Sequence, residues 1–155
     1  MRILLALALW LSWSYAFAAC PPAGQDRASL QALEAAKFAM SDAASRNALA
    51  EGLLDCLGDS DPALRDGIAY EAFSTWMRAA AFDAGELRKL RDGLYARLEG
   101  GDADGFRKPF AALVLSEVAR TDRVAPWMRA GERAAMVERA SVYLESVRDY
   151  RGYED

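Results

Sequence analysis

The chain has 155 residues, with 23 acidic side chains, 19 basic side chains and no histidine, and its formal net charge is −4 at neutral pH. This length is enough for one small domain with a buried core. Without histidine, the chain lacks the usual neutral-pH general base, the Ser-His and Cys-His nucleophile pairs and most zinc sites. Acidic and basic residues are interleaved and form no dense basic patch, so we expect no nucleic-acid binding.

The amino terminus predicts a cleavable secretory signal. An uncharged apolar run extends from Ile3 to Ala18 behind Arg2, and small residues stand at Ala16 and Ala18, as a signal peptidase requires. The run is too short and too weakly flanked for a membrane-spanning helix. We therefore expect residues 1–19 to be a removed signal peptide and the mature protein, without a transmembrane span, to be periplasmic or secreted.

Two cysteines, Cys20 and Cys56, have two interpretations. In an oxidising compartment they would form a disulfide worth about 3 to 4 kcal/mol on the chain-entropy model. Alternatively, Cys20 is the lipid-anchored first residue of a lipoprotein, with Phe17-Ala18-Ala19 as an imperfect recognition sequence. The mass of the mature amino terminus distinguishes the two.

After a Pro-containing leader at residues 20–25, the sequence predicts one helical domain over residues 26–155. Apolar residues recur at helical spacing, no segment alternates strictly, and strong helix formers dominate. The predicted helices run over about 26–40, 43–57, 62–82, 84–99, 109–120 and 131–149. Asp61 and Asp83 are the predicted caps of the third and fourth helices, with Pro62 at the first helical position.

The sixth predicted helix has an apolar face that we expect to be buried. This face consists of Met136, Val137, Ala140, Tyr143, Leu144 and Val147. Grouped as antiparallel pairs, the predicted helices have first members near residues 26, 62 and 106, a spacing close to the ~40 to 47 residues of HEAT and armadillo units. We therefore predict an all-α fold of antiparallel helix pairs in a short HEAT/armadillo-like solenoid, with an irregular helical bundle as the alternative.

Several separated motifs carry a family resemblance. They are residues 61–71 (DPALRDGIAYE), Trp76, residues 107–115 (RKPFAALVL), residues 143–145 (YLE) and residues 148–153 (RDYRGY). In this order they resemble the bacterial family called domain of unknown function 2785. The resemblance implies an all-helical, HEAT-like fold and supplies no catalytic residues.

Members of that family usually continue into a Gly-Trp and His-bearing helical portion, whereas this sequence ends at Asp155. The resemblance therefore raises the hypothesis of a shortened domain. A shortened solenoid would expose the apolar flank of its last helix, which predicts self-association.

Charged residues suggest a candidate polar binding cluster. Its members are Asp61, Arg65, Asp66, Glu71, Glu117, Arg120, Arg148, Asp149 and Arg151. Guanidinium groups match carboxylate and phosphate oxygens, so the cluster would suit an acidic ligand. The competing interpretation is structural, with Asp61 capping a helix and Arg65 and Asp66 bridging neighbouring helices. Trp127, between Pro126 and Met128 in a predicted connector, is the candidate exposed contact for a partner.

These features predict an exported, non-catalytic binding or structural module that works with an unknown protein or envelope partner. We assign no catalytic residue, cofactor or metal site. One alternative is an envelope hydrolase that uses carboxylate and Arg groups; another is an inactive, truncated family member.

Overall fold

The structure is a computed structural model that describes residues 20–148. Over that range every regular element is a helix, which confirms the all-α prediction. The α-helices are α1 (Arg27–Ala35), α2 (Ala43–Leu53), α3 (Glu71–Arg78), α4 (Ala84–Glu99), α5 (Arg107–Val124) and α6 (Ala130–Ser146). A 3₁₀ turn (Asp55–Gly58) follows α2, and a π-helical segment (Ala63–Tyr70) leads directly into α3. The predicted signal at residues 1–19, together with Asp149 and Arg151, lies outside the described residues.

Helix α5 lies at the centre of the fold. It packs along α4, its main partner, and also contacts α3 and the 3₁₀ turn. One continuous core joins all of these elements, with Leu53, Ile68, Phe73, Leu94 and Val118 among its buried members. The irregular helical bundle, with one core shared by these elements, fits the arrangement, and the HEAT-like arrangement is not confirmed.

The first helix ends earlier than the sequence predicted, at Ala35 instead of about residue 40. Lys37 and Phe38 adopt left-handed backbone angles, with φ of 56° and 58°. The Phe38 ring is buried edge-on against Trp76 at a centroid distance of 6.3 Å, and its carbonyl oxygen accepts a hydrogen bond of 2.8 Å from the Trp76 indole. This contact with a residue far along the chain takes Phe38 out of the helix.

The third predicted helix begins where expected, because Asp61 Oδ1 accepts a hydrogen bond of 2.9 Å from the backbone N–H of Ala63. Its first half is a π-helix, which the sequence did not predict. The helix ends at Arg78 and not near Phe82, because Ala80 adopts a left-handed conformation with φ of 52°. The turn that follows places the Phe82 ring edge-on to Trp76 at 6.0 Å.

The last two helices also differ from the prediction. Helix α5 begins at Arg107, where Asp102 accepts hydrogen bonds from the backbone N–H groups of Arg107 and Lys108 at 2.9 and 3.1 Å, and it continues to Val124. In α6 the predicted buried face is wrong: Met136 is buried, but Val137 and Leu144 are each 65% exposed. Val137, Ala140 and Leu144 of this face are exposed, whereas Tyr143 and Val147 are partly buried.

The leader is attached to the helical bundle. Cys20 and Cys56 form a disulfide with their Cα atoms 4.9 Å apart, and Cys56 is completely buried in the 3₁₀ turn. Pro22 packs so closely on α2 that a Cβ atom at Gly52 would lie 2.8 Å from the Cβ of Pro22. The disulfide and this packing hold the leader against the second helix.

Candidate binding cleft

A mostly apolar cleft of about 320 Å³ lies where the end of α3, the start of α4 and the end of α5 meet. Its apolar wall includes Met77, Phe82, Leu87, Val124, Pro126 and Trp127. The left-handed turn at Ala80 brings Phe82 to one side, and the connector after α5 brings Trp127 to the other. We call this site the Trp127 cleft.

Trp127 is half-buried, and three polar contacts hold it in place. Its indole Nε1 donates to Thr121 Oγ1 at 3.0 Å, its backbone N–H donates to Asp122 Oδ1 at 2.8 Å, and its carbonyl oxygen accepts from Arg88 Nη2 at 2.8 Å. The Arg88 guanidinium also lies 5.3 Å from the centre of the Trp127 ring. The residue that the sequence proposed as an exposed contact is therefore a fixed wall of the cleft.

Asp122 holds the connector that carries Trp127. The carboxylate is buried at the end of α5, and its Oδ1 also accepts a hydrogen bond of 2.7 Å from the backbone N–H of Met128. Its Oδ2 accepts from Arg133 Nε of α6 at 2.5 Å. The hydrogen bond from Arg133 is the main reason that the pKa of Asp122 falls to about 2.

Glu117, Arg78 and Arg120 form a charged group beside the cleft. Glu117 is buried on α5; its Oε1 accepts from Arg78 Nε at 3.1 Å and from Arg78 Nη2, and its Oε2 accepts from Arg120 Nε at 2.7 Å. Both arginines line the cleft. The hydrogen bond from Arg78 does most to lower the pKa of Glu117, and the same contact raises the pKa of Arg78. Glu117 is therefore held as a carboxylate.

The structure divides the predicted polar cluster. Asp61 forms an ion pair with Arg27 and caps the π-helical segment. Arg65 is buried with its guanidinium 3.9 Å from the centre of the Phe106 ring, and its Nη1 donates to a backbone carbonyl at 3.0 Å. Its Nε lies 2.6 Å from Asp66 Oδ1, but the contact lacks hydrogen-bond geometry, so it is an ion pair without a directed hydrogen bond. These residues join elements of the fold.

The other members of the predicted cluster lie elsewhere. Glu71 and Arg148 are exposed, and Arg148 donates to the backbone carbonyl of Glu145. Among the described members of the predicted cluster, Glu117 and Arg120 come together beside the cleft. Arg78, which completes that group, escaped the sequence analysis because it lies 39 residues from Glu117 in the chain.

A second group of charged contacts, also missed from the sequence, attaches α6 to α4. Glu132 Oε1 accepts from Arg88 Nε at 2.9 Å and from Arg91 Nη1 at 2.8 Å, while Oε2 accepts from the backbone N–H of Arg129 at 2.7 Å. These hydrogen bonds, led by the one from Arg88, lower the pKa of Glu132 well below its ordinary value. Arg88 thus contacts both Glu132 and the Trp127 ring, and it links the start of α6 to the cleft wall.

A separate groove of about 340 Å³ runs between α5 and α6. It is almost entirely apolar, and its lining includes the small α5 side chains Ala112, Ser116 and Ala119. The exposed Val137 and Leu144 lie along its α6 side. This groove is the surface to which the predicted self-association refers.

Comparison with known proteins gives one match. Residues 94–155 match the family described as protein of unknown function (DUF2785). The match begins inside α4 and includes α5 and α6, so it confirms the resemblance over residues 94–155; the motif at residues 61–71 and Trp76 lie outside it. Glu117, Arg120 and Trp127 fall inside the matched part, and Arg78 falls outside it. No curated protein and no solved structure matches the chain.

Two further observations concern metals and membranes. Nowhere between residues 20 and 148 do three or more Cys, His, Asp or Glu side chains come together as metal ligands. Over the same range, the helices are too short or too polar to cross a bilayer.

Proposed function

We propose that the chain is an exported, non-catalytic binding module whose ligand places an apolar group in the Trp127 cleft. The observation that carries the proposal is the cleft itself, a concave apolar site with a fixed aromatic wall and two guanidinium groups at its edge. Its volume of about 320 Å³ lies at the lower end of the range of small-molecule sites, roughly 300 to 1,000 Å³. A small ligand, or one side chain of a partner, suits this volume.

Export is supported by the amino-terminal pattern and by the disulfide. Disulfides persist in oxidising compartments, so the Cys20–Cys56 bond favours a periplasmic or secreted protein in which the signal at residues 1–19 has been removed. A lipid anchor at Cys20 would require the same sulfur atom, so the disulfide favours the unanchored form. Mass spectrometry of the mature amino terminus tests this part of the proposal, and a diacylglycerol on Cys20 would contradict it.

A binding role is supported over the envelope-hydrolase alternative by the electrostatics of Glu117. A general acid at neutral pH needs a raised pKa, whereas Arg78 and Arg120 lower the pKa of this carboxyl.

We extend the proposal to a single helical domain over residues 26–155. The inactive-family-member hypothesis predicts no saturable ligand binding at the cleft, which separates it from our proposal.

Tryptophan fluorescence provides the test. Trp76 and Trp127 are the tryptophans that follow residue 19, and Trp76 is buried, so a ligand in the cleft should change mainly the emission of Trp127. We expect a saturable change when the neutral probe 1-octanol is added. Trp127→Phe should remove the change while a parallel calorimetric titration still detects binding.

A matched pair of variants localises the binding. Val124 lines the cleft and Val142 does not, and both valines are exposed at the surface, so both should tolerate a polar substitution. Val124→Glu should weaken octanol binding, and Val142→Glu should leave it unchanged. If the wild type shows no saturable response, or if both variants behave alike, the cleft is not the binding site.

A further inference from the structure

We infer that the ligand of the Trp127 cleft is a small amphipathic carboxylate, with its chain in the cleft and its anionic head bound by Arg78 and Arg120. This inference rests on the proposed binding function, and it specifies the chemical class of the ligand. It follows from the number and placement of the charged groups at the edge of the cleft.

The two arginines carry more positive charge and more hydrogen-bond donors than Glu117 can satisfy. Arg78 and Arg120 supply two positive charges, and Glu117 supplies one negative charge between them. The two oxygens of Glu117 engage Nε and Nη2 of Arg78 and Nε of Arg120. Nη2 of Arg120 is buried, and no atom of residues 20–148 accepts a hydrogen bond from it. Such a donor is costly to leave unpaired, which favours a further acceptor oxygen nearby.

Both guanidinium groups belong to side chains that solvent reaches. The Arg78 side chain is 59% exposed and the Arg120 side chain is 28% exposed, and both line the cleft. Glu71 attracts Arg78 from two helical turns away on the same helix, but it is itself exposed and solvated. The exposed Arg78 side chain therefore leaves part of this excess of positive charge open to an incoming anion.

The rest of the cleft surroundings agrees with an anionic ligand. The guanidinium of Arg46 lies 5.8 Å from the centre of the Phe82 ring and hydrogen-bonds backbone carbonyl groups, including that of Ala81 at 2.6 Å. Arg88 lies against the Trp127 ring. Each aromatic wall thus has a guanidinium group beside it, that of Arg88 being paired with Glu132, and the excess positive charge of Arg78 and Arg120 would repel an amphipathic cation. A planar carboxylate matches the fork of a guanidinium group, so a fatty-acid-like molecule fits both parts of the site.

The test compares three probes of similar chain length and different heads: octanoate, 1-octanol and octyltrimethylammonium. We expect octanoate to bind at least about tenfold more tightly than octanol, because it adds charge-assisted hydrogen bonds. Octyltrimethylammonium should bind more weakly than octanol. The preference for octanoate should decrease as salt is added, since part of the attraction is exposed to solvent.

Variants assign the preference to the arginines. Arg120→Gln should reduce octanoate affinity to nearly that of octanol and leave octanol binding unchanged. Arg123→Gln is the matched control, because Arg123 is exposed on the same helix and does not line the cleft. Glu117→Gln should tighten octanoate binding, because the amide keeps the shape of the side chain and no longer competes as an anion for Arg78 and Arg120. Circular dichroism verifies that each variant folds.

The outcomes separate the two proposals. If octanol and octanoate bind with equal affinity, the inference about the anionic head is overturned and the apolar binding function stands. If neither binds, both are overturned. If Glu117→Gln folds and weakens octanoate binding, the three charged residues serve only the fold and the inference is overturned, and this result stands even where Arg120→Gln fails to fold.

Discussion

Replacing Asp122 by asparagine tests how the wall of the cleft is held. Asparagine keeps an oxygen that can accept from the backbone N–H groups of Trp127 and Met128. It loses the negative charge, and its NH₂ group competes with Arg133 for space and for acceptors. We therefore expect a variant that folds, is less stable than the wild type, and has a looser connector between α5 and α6.

The size of the effect follows from the pKa of Asp122, which falls from 3.8 to about 2 in the folded protein. At 1.36 kcal/mol per pKa unit, this shift corresponds to an upper figure of about 2.4 kcal/mol. Arg133 is partly exposed, so solvent screening reduces the expected loss to about 1 to 2 kcal/mol. For a domain of about 130 residues, with an unfolding entropy of about 2.1 cal/mol/K per residue, the melting temperature should fall by roughly 4 to 7 °C.

The pH dependence gives the effect a signature. Because the folded-state pKa is lowered, the stabilisation by Asp122 is complete above the ordinary value of 3.8 and is lost as the pH falls through about 2. The difference in the free energy of unfolding between wild type and Asp122→Asn at about pH 2.5 should therefore be about a third of the difference at about pH 6. Thermal unfolding followed by circular dichroism measures this difference.

Asp104→Asn is the control, because Asp104 is exposed in the loop before α5 and the substitution changes the charge equally. It should leave the melting temperature almost unchanged. Equal stability of the two variants, or a loss in Asp122→Asn that does not depend on pH, would refute the argument that the charge of Asp122 stabilises the connector.

Three further predictions concern stability and association. Replacing Cys20 and Cys56 by serine should lower the free energy of unfolding by about 4 kcal/mol, because the disulfide closes a loop with a separation of 36 residues. Chemical denaturation measures the loss, and an unchanged denaturation midpoint would contradict this prediction. Gly131→Ala, which meets open space, should stabilise by up to about 1 kcal/mol, whereas Gly93→Ala should gain less because its Cβ would lie 2.7 Å from Leu54 Cδ1 and the buried Leu54 side chain would have to move. Equal effects in thermal unfolding would show that this packing is misjudged. Sedimentation velocity should show association that grows with concentration through the apolar α5–α6 groove, and a monomer at high concentration would count against it.

The helical content and several helix starts were predictable because they depend on residues close together in the chain. Asp26, Asp61 and Asp83 each accept a hydrogen bond from a backbone N–H two or three residues later, as a capping residue does. In α4 the residues Leu87, Leu90, Leu94 and Leu98 recur at helical spacing, and all four are buried. The sequence left the Cys20–Cys56 disulfide as one of two interpretations, and the structure pairs the two cysteines.

The candidate site was predictable only in part. The sequence drew attention to Glu117, Arg120 and Trp127, but it grouped the two charged residues with distant residues such as Asp61 and Arg65. The sequence did not indicate that Arg78 belongs to the site, because its role depends on the approach of α3 to α5. An arginine near the end of a helix usually faces solvent, and nothing local distinguishes this one.

The sequence by itself determined an all-helical chain and the main helix starts, because caps and helical periodicity act within a few residues, and the export signal stays a prediction. Only the tertiary structure decided where α1 and α3 end, which side of α6 is buried and how the cleft forms. Each of these depends on contacts between residues far apart in the chain, such as Phe38 with Trp76 and Glu132 with Arg88, which are 38 and 44 positions apart. Such contacts exist only once the helices have packed, and no local pattern of residues encodes them.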